Sequence, residues 1–464
     1  MNGWRGFLKA SFAAALGISL SACMGFGSGL VGDLGGLGRS DQVRADGIRG
    51  TVLDVTGSLA AVQDERSRTI FMVQLPGGGP GLPPGQVVDL TGDLQNGVLH
   101  ADSVSLAGGK PWPQAAPAGE SAEPIQHILF LLQENHSFDN YFGSFPGADG
   151  IPPGAKVEGV APFHLQSFRT ANLAHGQRAV STAVHGGAMD RFVTAEKSSD
   201  TMGYYQEADI PNYWAYARRF ALADHFFSSS DGPSLPNHLF ALAATAGKVI
   251  TNTLRPPGGY SFPSLAERLQ QAGVSWKVYD GRPDPGFSAL DPFAAFSSTM
   301  TSPEIRSRLV GTAELFRDLR EGHLPHAAWI FPDAEESEHP MTDIRVGMWY
   351  VTAVVNALMK SPYWATTVLV VSWDEYGGFY DHVPPPRVNG VSEGIRVPAL
   401  IISARARPGY VDATEYDFTS VLKLMENTFG VAPLSDRDAQ AQDISASLDA
   451  VQQPLPPFLI GAAK

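Results

Sequence analysis

The sequence predicts an α/β protein with a mostly parallel sheet and helices on both faces, preceded by a small all-β domain. From residue 124 onward, apolar β-branched runs alternate with helical segments, which is typical of a parallel sheet between two helix layers. Between residues 47 and 107, short runs of alternating polarity are separated by Gly and Pro turns. That pattern indicates a small β-barrel or sandwich.

Within the α/β region, a continuous apolar run at 125–132 predicts a buried strand. Further strands are expected at 274–279, 366–372 and 397–403, and helices at 264–272, 348–358 and 419–429. Ligands of such sheets bind at the carboxyl ends of the strands. We therefore look for a site where the apolar runs end.

The N-terminus has the pattern of a bacterial export signal. Arg5 and Lys9 precede an apolar run at 10–20, which is too short to span a bilayer. The run ends in Leu20-Ser21-Ala22-Cys23, which resembles a lipobox and would make Cys23 the lipidated first residue of an exported protein, anchored to the bacterial membrane in the periplasm or at the cell surface. An ordinary signal peptide with a chance cysteine is the alternative.

Composition divides the remaining chain and limits its partners. We expect a signal peptide at 1–23, a Gly- and Ser-rich linker at 24–46, the β-module at 47–107, a Pro/Ala/Gly linker at 108–123 and a catalytic domain at 124–464. The net charge of −14 argues against a nucleic-acid partner. A single cysteine excludes an internal disulfide.

Oxygen-bearing side chains follow two of the predicted strands. Asp374 and Glu375 come directly after the strand at 366–372, and Glu134 and Asn135 end the first strand in the same way. Buried acids need a compensating partner, and carboxylate and amide oxygens suit a hard cation such as Ca²⁺, Mg²⁺ or Mn²⁺. One divalent metal ion is therefore expected, with Zn²⁺ as a further possibility. Helix capping is the alternative for Glu134 and Asn135.

A serine lies at the predicted start of a helix in the run Gly232-Pro233-Ser234-Leu235-Pro236-Asn237. Pro236 suits the first helical turn. The backbone N–H groups and dipole of a helix N-terminus stabilise an anion or an alkoxide there, so Ser234 is a candidate nucleophile. The alternative is that Ser234 only caps the helix.

Four histidines lie near these motifs: His175, His185, His339 and His382. Each taken singly is more often a surface or core residue. Grouped around oxygen ligands, they would donate to phosphate oxygens or protonate a leaving alcohol.

Four motifs follow one another in a fixed order: Glu134-Asn135-His136-Ser137-Phe138-Asp139, Gly232-Pro233-Ser234-Leu235-Pro236-Asn237, Ser337-Glu338-His339-Pro340 and Asp374-Glu375-Tyr376-Gly377-Gly378-Phe379-Tyr380-Asp381-His382-Val383-Pro384-Pro385. Together they resemble the bacterial phosphoesterase family that joins non-haemolytic phospholipases C with respiratory-burst-inhibiting acid phosphatases. That family belongs to the alkaline phosphatase-like superfamily. The resemblance covers about residues 125–440.

The resemblance implies a role for each matching residue. The metal ligands would be Glu134, Asn135, Asp374 and Glu375, with Ser234 as the nucleophile that also touches the metal. His175 and His339 match phosphate-contacting histidines, whereas His382 would act in catalysis or serve the fold. The family often has Arg where this chain has His136 and His238, and His where it has Phe418.

The expected function is a metal-dependent phosphoester hydrolase with a phosphoseryl intermediate, acting on a phosphomonoester or a phospholipid. The chain reaches Lys464 without the extra C-terminal β-domains of long family members, which favours a phosphatase, while a lipid anchor favours a phospholipase C. A surface lipoprotein that binds a partner on a degenerate enzyme scaffold is the alternative. A sulfatase is disfavoured. Sulfatases resembling this superfamily need a modified Cys or Ser within a Cys/Ser-x-Pro-x-Arg motif, and Cys23 is the only cysteine of this chain.

Overall fold

A closed five-stranded barrel begins the part of the chain that the computed structural model describes, which covers residues 43–78, 81–115, 124–282, 291–388 and 390–461. Its strands are β1 (Val43–Thr56), β2 (Leu59–Asp64), β3 (Ile70–Gln74), β4 (Gln86–Gln95) and β5 (Val98–Gly109). Alternating side chains such as Val52, Val62 and Val88 fill the interior of the barrel. The predicted all-β region is confirmed.

The predictions for the N-terminus fall outside the described residues. These are the signal peptide, Cys23, most of the linker at 24–46 and residues 116–123 of the second linker. Within the described residues, none of the helices combines the length and apolar content that a membrane crossing needs.

The larger part of the chain is built on an eight-stranded sheet. The remaining strands are β6 (His127–Gln133), β7 (Phe163–His164), β8 (Gly203–Tyr204), β9 (Ala221–Ala223), β10 (Phe226–Phe227), β11 (Trp276–Asp280), β12 (Leu309–Gly311), β13 (Ala327–Phe331), β14 (Thr367–Trp373), β15 (Arg387–Val388), β16 (Val391–Ser392), β17 (Ala399–Ser403), β18 (Tyr410–Asp412) and β19 (Tyr416–Asp417). The order in the large sheet is β12-β11-β13-β6-β14-β17-β9-β18. The other six strands form three two-stranded sheets.

Seven of the eight strands of the large sheet run in the same direction, and β17 runs against them. No α-helix lies between β14 and β17 among the described residues, whereas a parallel return normally needs a helical crossover. The predicted mostly parallel sheet is confirmed, and the strand predicted at 397–403 is the exception within it.

The helices form two packed groups on the sheet, with α4, α9 and α10 in one and α5, α6 and α11 in the other. The helices are α1 (Phe138–Phe142), α2 (Gln177–Val184), α3 (Phe192–Glu196), α4 (Pro211–Arg219), α5 (Ser234–Ala243), α6 (Leu265–Gln271), α7 (Ser297–Thr301), α8 (Pro303–Arg306), α9 (Thr312–Glu321), α10 (Ile344–Lys360), α11 (Phe418–Phe429) and α12 (Asp436–Gln440). The helix predicted at 348–358 begins earlier, because Asp343 caps it at the N-terminus.

The outer face of the barrel belongs to the core of the α/β part. Leu53, Ile70, Met72 and Val98 are buried among the apolar side chains of that larger core, and α10 packs against β1 and β3. One buried cluster thus includes side chains of both the barrel and the α/β part.

Candidate active site

The two acidic motifs meet because their strands are neighbours. β6 and β14 pair in parallel with Gln133 opposite Trp373, so Glu134 and Asp374 leave the sheet side by side. The backbone N–H of Asp374 donates to the carbonyl oxygen of Gln133 at 2.9 Å, which continues the ladder past both strands. The meeting point that the sequence predicts is therefore at the carboxyl edge of the sheet.

The turns after these strands bring backbone and side chains into close contact. One oxygen of Asp374, Oδ1, accepts the backbone N–H groups of Asn135 at 2.8 Å and of Glu375 at 2.7 Å. Asn135 has a φ of 64°, and a Cβ on Gly377 would lie 1.9 Å from its carbonyl oxygen. Only glycine fits at position 377, so the Gly-Gly turn of the motif serves this close approach.

Glu375 is held by its own motif and by the first one. Its Oε2 accepts the backbone N–H of Gly377 at 3.0 Å, and its Oε1 accepts the side-chain amide of Asn135. Both carboxylate oxygens therefore have a protein donor. Glu375 lies beside the other candidate ligands, but it is the one whose oxygens are already bonded.

Three carboxylates in this small volume repel each other. Burial and the charge of Asp374 raise the pKa of Glu134 to about 7 and raise that of Glu375 well above its ordinary value. Burial alone would also raise the pKa of Asp374, but the adjacent His238 imidazole and Ser234 hydroxyl lower it. The cluster therefore favours a positive group.

Several ligand atoms at this edge suit a divalent cation. Glu134 Oε2, Asn135 Oδ1 and Asp374 Oδ2 are buried and have no hydrogen-bond partner. A buried carboxylate oxygen in that state is costly unless a cation compensates it. Glu134, His238 and Asp374 each offer a ligand atom, and these atoms lie within 4.8 Å of one another. Oxygen and imidazole donors together can bind Mn²⁺ or Zn²⁺ as well as harder ions.

Ser234 is the first residue of α5 and is buried beside the cluster. Pro233 occupies the N-cap position and no side chain caps the helix, so Ser234 does not have the capping role. Its hydroxyl is close enough to Asp374 to lower the pKa of that carboxyl. A hydroxyl at the positive end of a ten-residue helix, next to a cation site, can become a nucleophile.

His238 is a member of the site that the sequence interpretation left without a role. Its Nε2 lies 2.8 Å from Oε1 of Glu134 and 3.7 Å from Oδ2 of Asp374. Burial alone would lower the pKa of His238, but the two carboxylates raise it to about 10. The available signal was its spacing: His238 is four residues after Ser234, which places both on one face of α5.

His175 and His339 form a pair near the acids. Their rings are 6.1 Å apart and perpendicular, and Nδ1 of His175 is 4.0 Å from Oε1 of Glu375. In each ring Nδ1 contacts a backbone carbonyl oxygen, that of Leu173 at 2.8 Å and that of Pro340 at 3.0 Å. A carbonyl only accepts, so Nδ1 carries the hydrogen and Nε2 is left for a ligand.

His136 and Glu338 pack next to the site, and neither was assigned a catalytic role from the sequence. His136 stacks on Tyr141, and its Nε2 lies 3.1 Å from the backbone oxygen of Glu338. Burial lowers the pKa of His136 to about 4. The Glu338 carboxylate accepts from Tyr141 and Tyr213, which fixes the backbone next to His339.

His382 lies in a different cluster from the other candidates. Its Nδ1 is 2.8 Å from Oδ2 of Asp139, and its Nε2 is 3.2 Å from Oδ1 of Asp149. The buried Arg396 completes this cluster through Asp139 and Asp381. These contacts support the alternative in which His382 serves the fold. His185, the remaining candidate, pairs with Asp190 at the surface.

The comparisons with known proteins agree with the motifs. The Phosphoesterase family model matches residues 125–432. The chain is 31% identical over 377 residues to a non-hemolytic phospholipase C of Pseudomonas aeruginosa, covering 66% of this chain and 54% of the relative. It is 28% identical over 431 residues to phospholipase C B of Mycobacterium tuberculosis, covering 74% and 81%.

A second relative from Pseudomonas aeruginosa, a hemolytic phospholipase C, is 29% identical over 430 residues, which cover 73% of this chain and 58% of the relative. The chain therefore spans little more than half the length of either Pseudomonas protein. Among solved structures, a protein in the alkaline phosphatase superfamily from Vibrio parahaemolyticus aligns with a TM-score of 0.34 and 11% identity, over 70% of this chain and 71% of that one. Because the family match covers about two thirds of the sequence, this chain belongs to the Phosphoesterase family.

Proposed function

We propose that this protein is a metal-dependent phosphoester hydrolase in which Ser234 is the nucleophile and forms a phosphoseryl intermediate. One observation carries the proposal: Ser234 begins α5 next to Asp374, which belongs with Glu134 and Asn135 to a group of buried residues whose oxygens include some without a hydrogen-bond partner. A serine that can lose its proton and a site that can hold a cation are the two requirements of this chemistry. The named relatives, which are phospholipases C, are consistent with it.

Each side chain has a defined task in this mechanism. Glu134, Asn135 and Asp374 would hold a divalent cation, with His238 as an additional donor. When bound, the cation would neutralise the negative charge of the phosphoryl group. Ser234 passes its proton to water, and its oxygen attacks phosphorus in line with the leaving alcohol. The N-terminus of α5 stabilises the charge on that oxygen and on the phosphoryl group.

The two histidines would handle phosphate oxygens and protons. His175 and His339 each hold Nδ1 against a backbone carbonyl, so Nε2 is the nitrogen that meets the substrate. In the imidazolium form, Nε2 donates to a phosphoryl oxygen or to the leaving alcohol. In the neutral form it accepts a proton from the water that hydrolyses phosphoserine.

The Ser234→Ala variant tests the nucleophile. We expect hydrolysis of p-nitrophenyl phosphate or its phosphorylcholine diester to fall by about 10³-fold or more, with the bound metal unchanged, because losing a serine nucleophile removes the covalent route. Ser229→Ala is the matched control, since the Ser229 hydroxyl donates to Asp417 and belongs to the fold. Full activity of Ser234→Ala would overturn the assignment and direct attention to Ser228 and Ser230, and loss of activity in the control would do so for Ser229.

The substrate class follows from comparing the two esters. We propose a phosphomonoester or a phospholipid as the substrate. The printed names of the relatives favour the phospholipid. Wild-type kcat/KM for p-nitrophenyl phosphate and for the phosphorylcholine diester, measured under one set of conditions, decides between them. A ratio above about tenfold in either direction assigns the class.

We further propose export and lipid anchoring at Cys23, supported by the sequence Leu20-Ser21-Ala22-Cys23. Labelling with a radioactive fatty acid in a bacterial host checks this. The full-length chain should incorporate label, and Cys23→Ser should not. Equal labelling of both would contradict the anchor.

A further inference from the structure

The barrel contacts the loop that carries His339. This loop, residues 332–343, joins β13 to α10. The Thr69 hydroxyl donates to Oδ2 of Asp333 at 3.4 Å, and the backbone N–H of Ile70 donates to the carboxylate of Glu336. Ile70 is the first residue of β3, and Thr69 directly precedes it. The loop is therefore attached to the barrel three and six residues before His339.

A second barrel segment contacts the start of α10, which directly follows this loop. The turn between β4 and β5 is Asn96-Gly97, with φ values of 51° and 75°. Asn96 Oδ1 accepts from Nη1 of Arg345 at 2.9 Å, and its backbone oxygen accepts the indole N–H of Trp349 at 3.2 Å. A Cβ on Gly97 would lie 2.7 Å from the backbone carbon of Arg345. The turn is thus packed tightly against the first turn of α10.

The loop is also tied to the segment that carries His175. The backbone N–H of Met341 donates to the oxygen of Thr170 at 2.9 Å, and that of Ile344 donates to the oxygen of Phe168 at 3.1 Å. The Arg345 guanidinium lies 4.0 Å from the centre of the Phe168 ring. Arg345 therefore contacts both the barrel turn and the segment that precedes His175.

We propose that the barrel is a positioning element of the active site, in which Thr69 holds the loop at 332–343 and Asn96 holds the first turn of α10 that follows it, and that these contacts place both His339 and His175. The proposal rests on the proposed function, since it concerns the histidines that would bind the phosphoryl group. The barrel lies before the family match, which begins at residue 125. It would therefore give residues outside that match a part in substrate binding.

A second contact between the barrel and α10, at the other end of the helix, provides a control for the experiment. There the Lys360 ammonium bonds the carboxylate of Asp54 and the backbone oxygen of Val55. This contact joins the same barrel to the same helix, but Lys360 is sixteen residues past Ile344, which is about 24 Å along the helix. It holds the barrel without touching the histidine loop.

The experiment compares two double variants of the full chain. Asn96→Gly/Thr69→Val removes the two side-chain contacts, to Arg345 and Asp333, and leaves the backbone bonds of Asn96 and Ile70; glycine keeps the positive φ of the turn. Asp54→Asn/Lys360→Met removes the distant contact. For each we would measure kcat and KM for p-nitrophenyl phosphate, the Kd for inorganic phosphate by calorimetry, and unfolding by urea.

We expect the loop variant to raise KM and the phosphate Kd about tenfold and to lower kcat as well, since His175 and His339 both bind phosphate oxygens and transfer protons. The distant variant should unfold at lower urea with KM and Kd unchanged. Asn96→Asp, which keeps an acceptor for Arg345, should behave as wild type.

Equal effects of the two double variants on KM and Kd would overturn the inference and leave the barrel as a stabilising module. If the loop variant does not fold, Asn96→Gly alone carries the same comparison. A wild-type protein that neither hydrolyses the ester nor binds phosphate would instead overturn the proposed function, and the inference with it.

Discussion

Two clusters of buried acids come from the same two stretches of chain, and they differ in how their charge is compensated. The strand-end cluster consists of Glu134, Asp374 and Glu375. The arginine cluster consists of Asp139 and Asp381 around Arg396. Asp139 follows Glu134 by five residues, and Asp381 follows Asp374 by seven. Arg396 is fully buried and reaches both carboxylates at 3.1 Å.

The difference lies in whether the protein itself supplies the compensating cation. Arg396 also donates to the backbone oxygens of Asp149 and Asp224, and it lies over the Phe138 ring, so its cluster is complete within the protein. In the strand-end cluster, His238 is 2.8 Å from Glu134 and His175 is 4.0 Å from Glu375, and oxygens of Glu134 and Asp374 remain without a hydrogen-bond partner. We therefore propose that the arginine cluster serves the fold and that the strand-end cluster binds a cation.

The largest expected effect is on folding, from Arg396→Met. Removing one partner of a buried ion pair leaves uncompensated charge, so we expect the free energy of unfolding to fall by about 3–5 kcal/mol. Urea unfolding at neutral pH measures it. Arg218→Met is the control: Arg218 also pairs with a carboxylate, that of Glu207 at 2.7 Å, but at the surface, where about 1 kcal/mol or less is expected. Similar losses in both variants would contradict the distinction.

Much of the strand-end cluster could be predicted from the sequence. The apolar runs before Glu134 and Asp374 mark buried strands, and the carboxyl ends of parallel strands share one edge of a sheet, so two local patterns predict a contact between residues 240 positions apart. Ser234 could be placed at a helix start for the same local reason. These predictions depend only on hydrophobic pattern and capping chemistry.

The remaining features depend on packing between distant elements, which local patterns do not encode. His238 reaches Glu134 only because α5 lies across the end of β6. His382 belongs to the same motif as Asp374, yet its side chain contacts Asp139 and not the strand-end acids. The contact of the barrel turn with Arg345 joins segments 249 positions apart and has no sequence signature beyond an Asn-Gly turn.

The second effect is on metal binding, from Asp374→Asn. We expect the purified variant to lose bound metal, while its stability in chelator stays within about 1 kcal/mol of wild type, because relief of the repulsion from Glu134 and Glu375 offsets the lost contacts with His238 and Ser234. Metal analysis and urea unfolding with and without chelator measure both. For wild type, chelator should remove about 2.7 kcal/mol if the free metal is at 100 times its Kd. A metal-free variant that is clearly less stable than wild type would make Asp374 a structural acid.

The smallest effect is the pH dependence contributed by His382, tested by His382→Gln. Burial alone would lower the pKa of His382, but the bonds to Asp139 and the nearby Asp381 raise it, while Arg396 opposes the rise. Asp149 also faces the ring. A raised pKa in the folded state means that the stabilisation is complete below the unfolded pKa of about 6.5 and is lost as pH rises through the folded value.

The variant should therefore lose more stability at pH 5.5 than at pH 9, by on the order of 1 kcal/mol, the difference between a hydrogen bond to a charged and to a neutral group. Urea unfolding at the two pH values measures it. The same preparations separate the two roles open to His382. A structural residue leaves kcat within a few-fold, whereas loss of a general acid lowers kcat by about 10²-fold or more. A large fall in kcat with no pH-dependent change in stability would move His382 from the arginine cluster to the catalytic group.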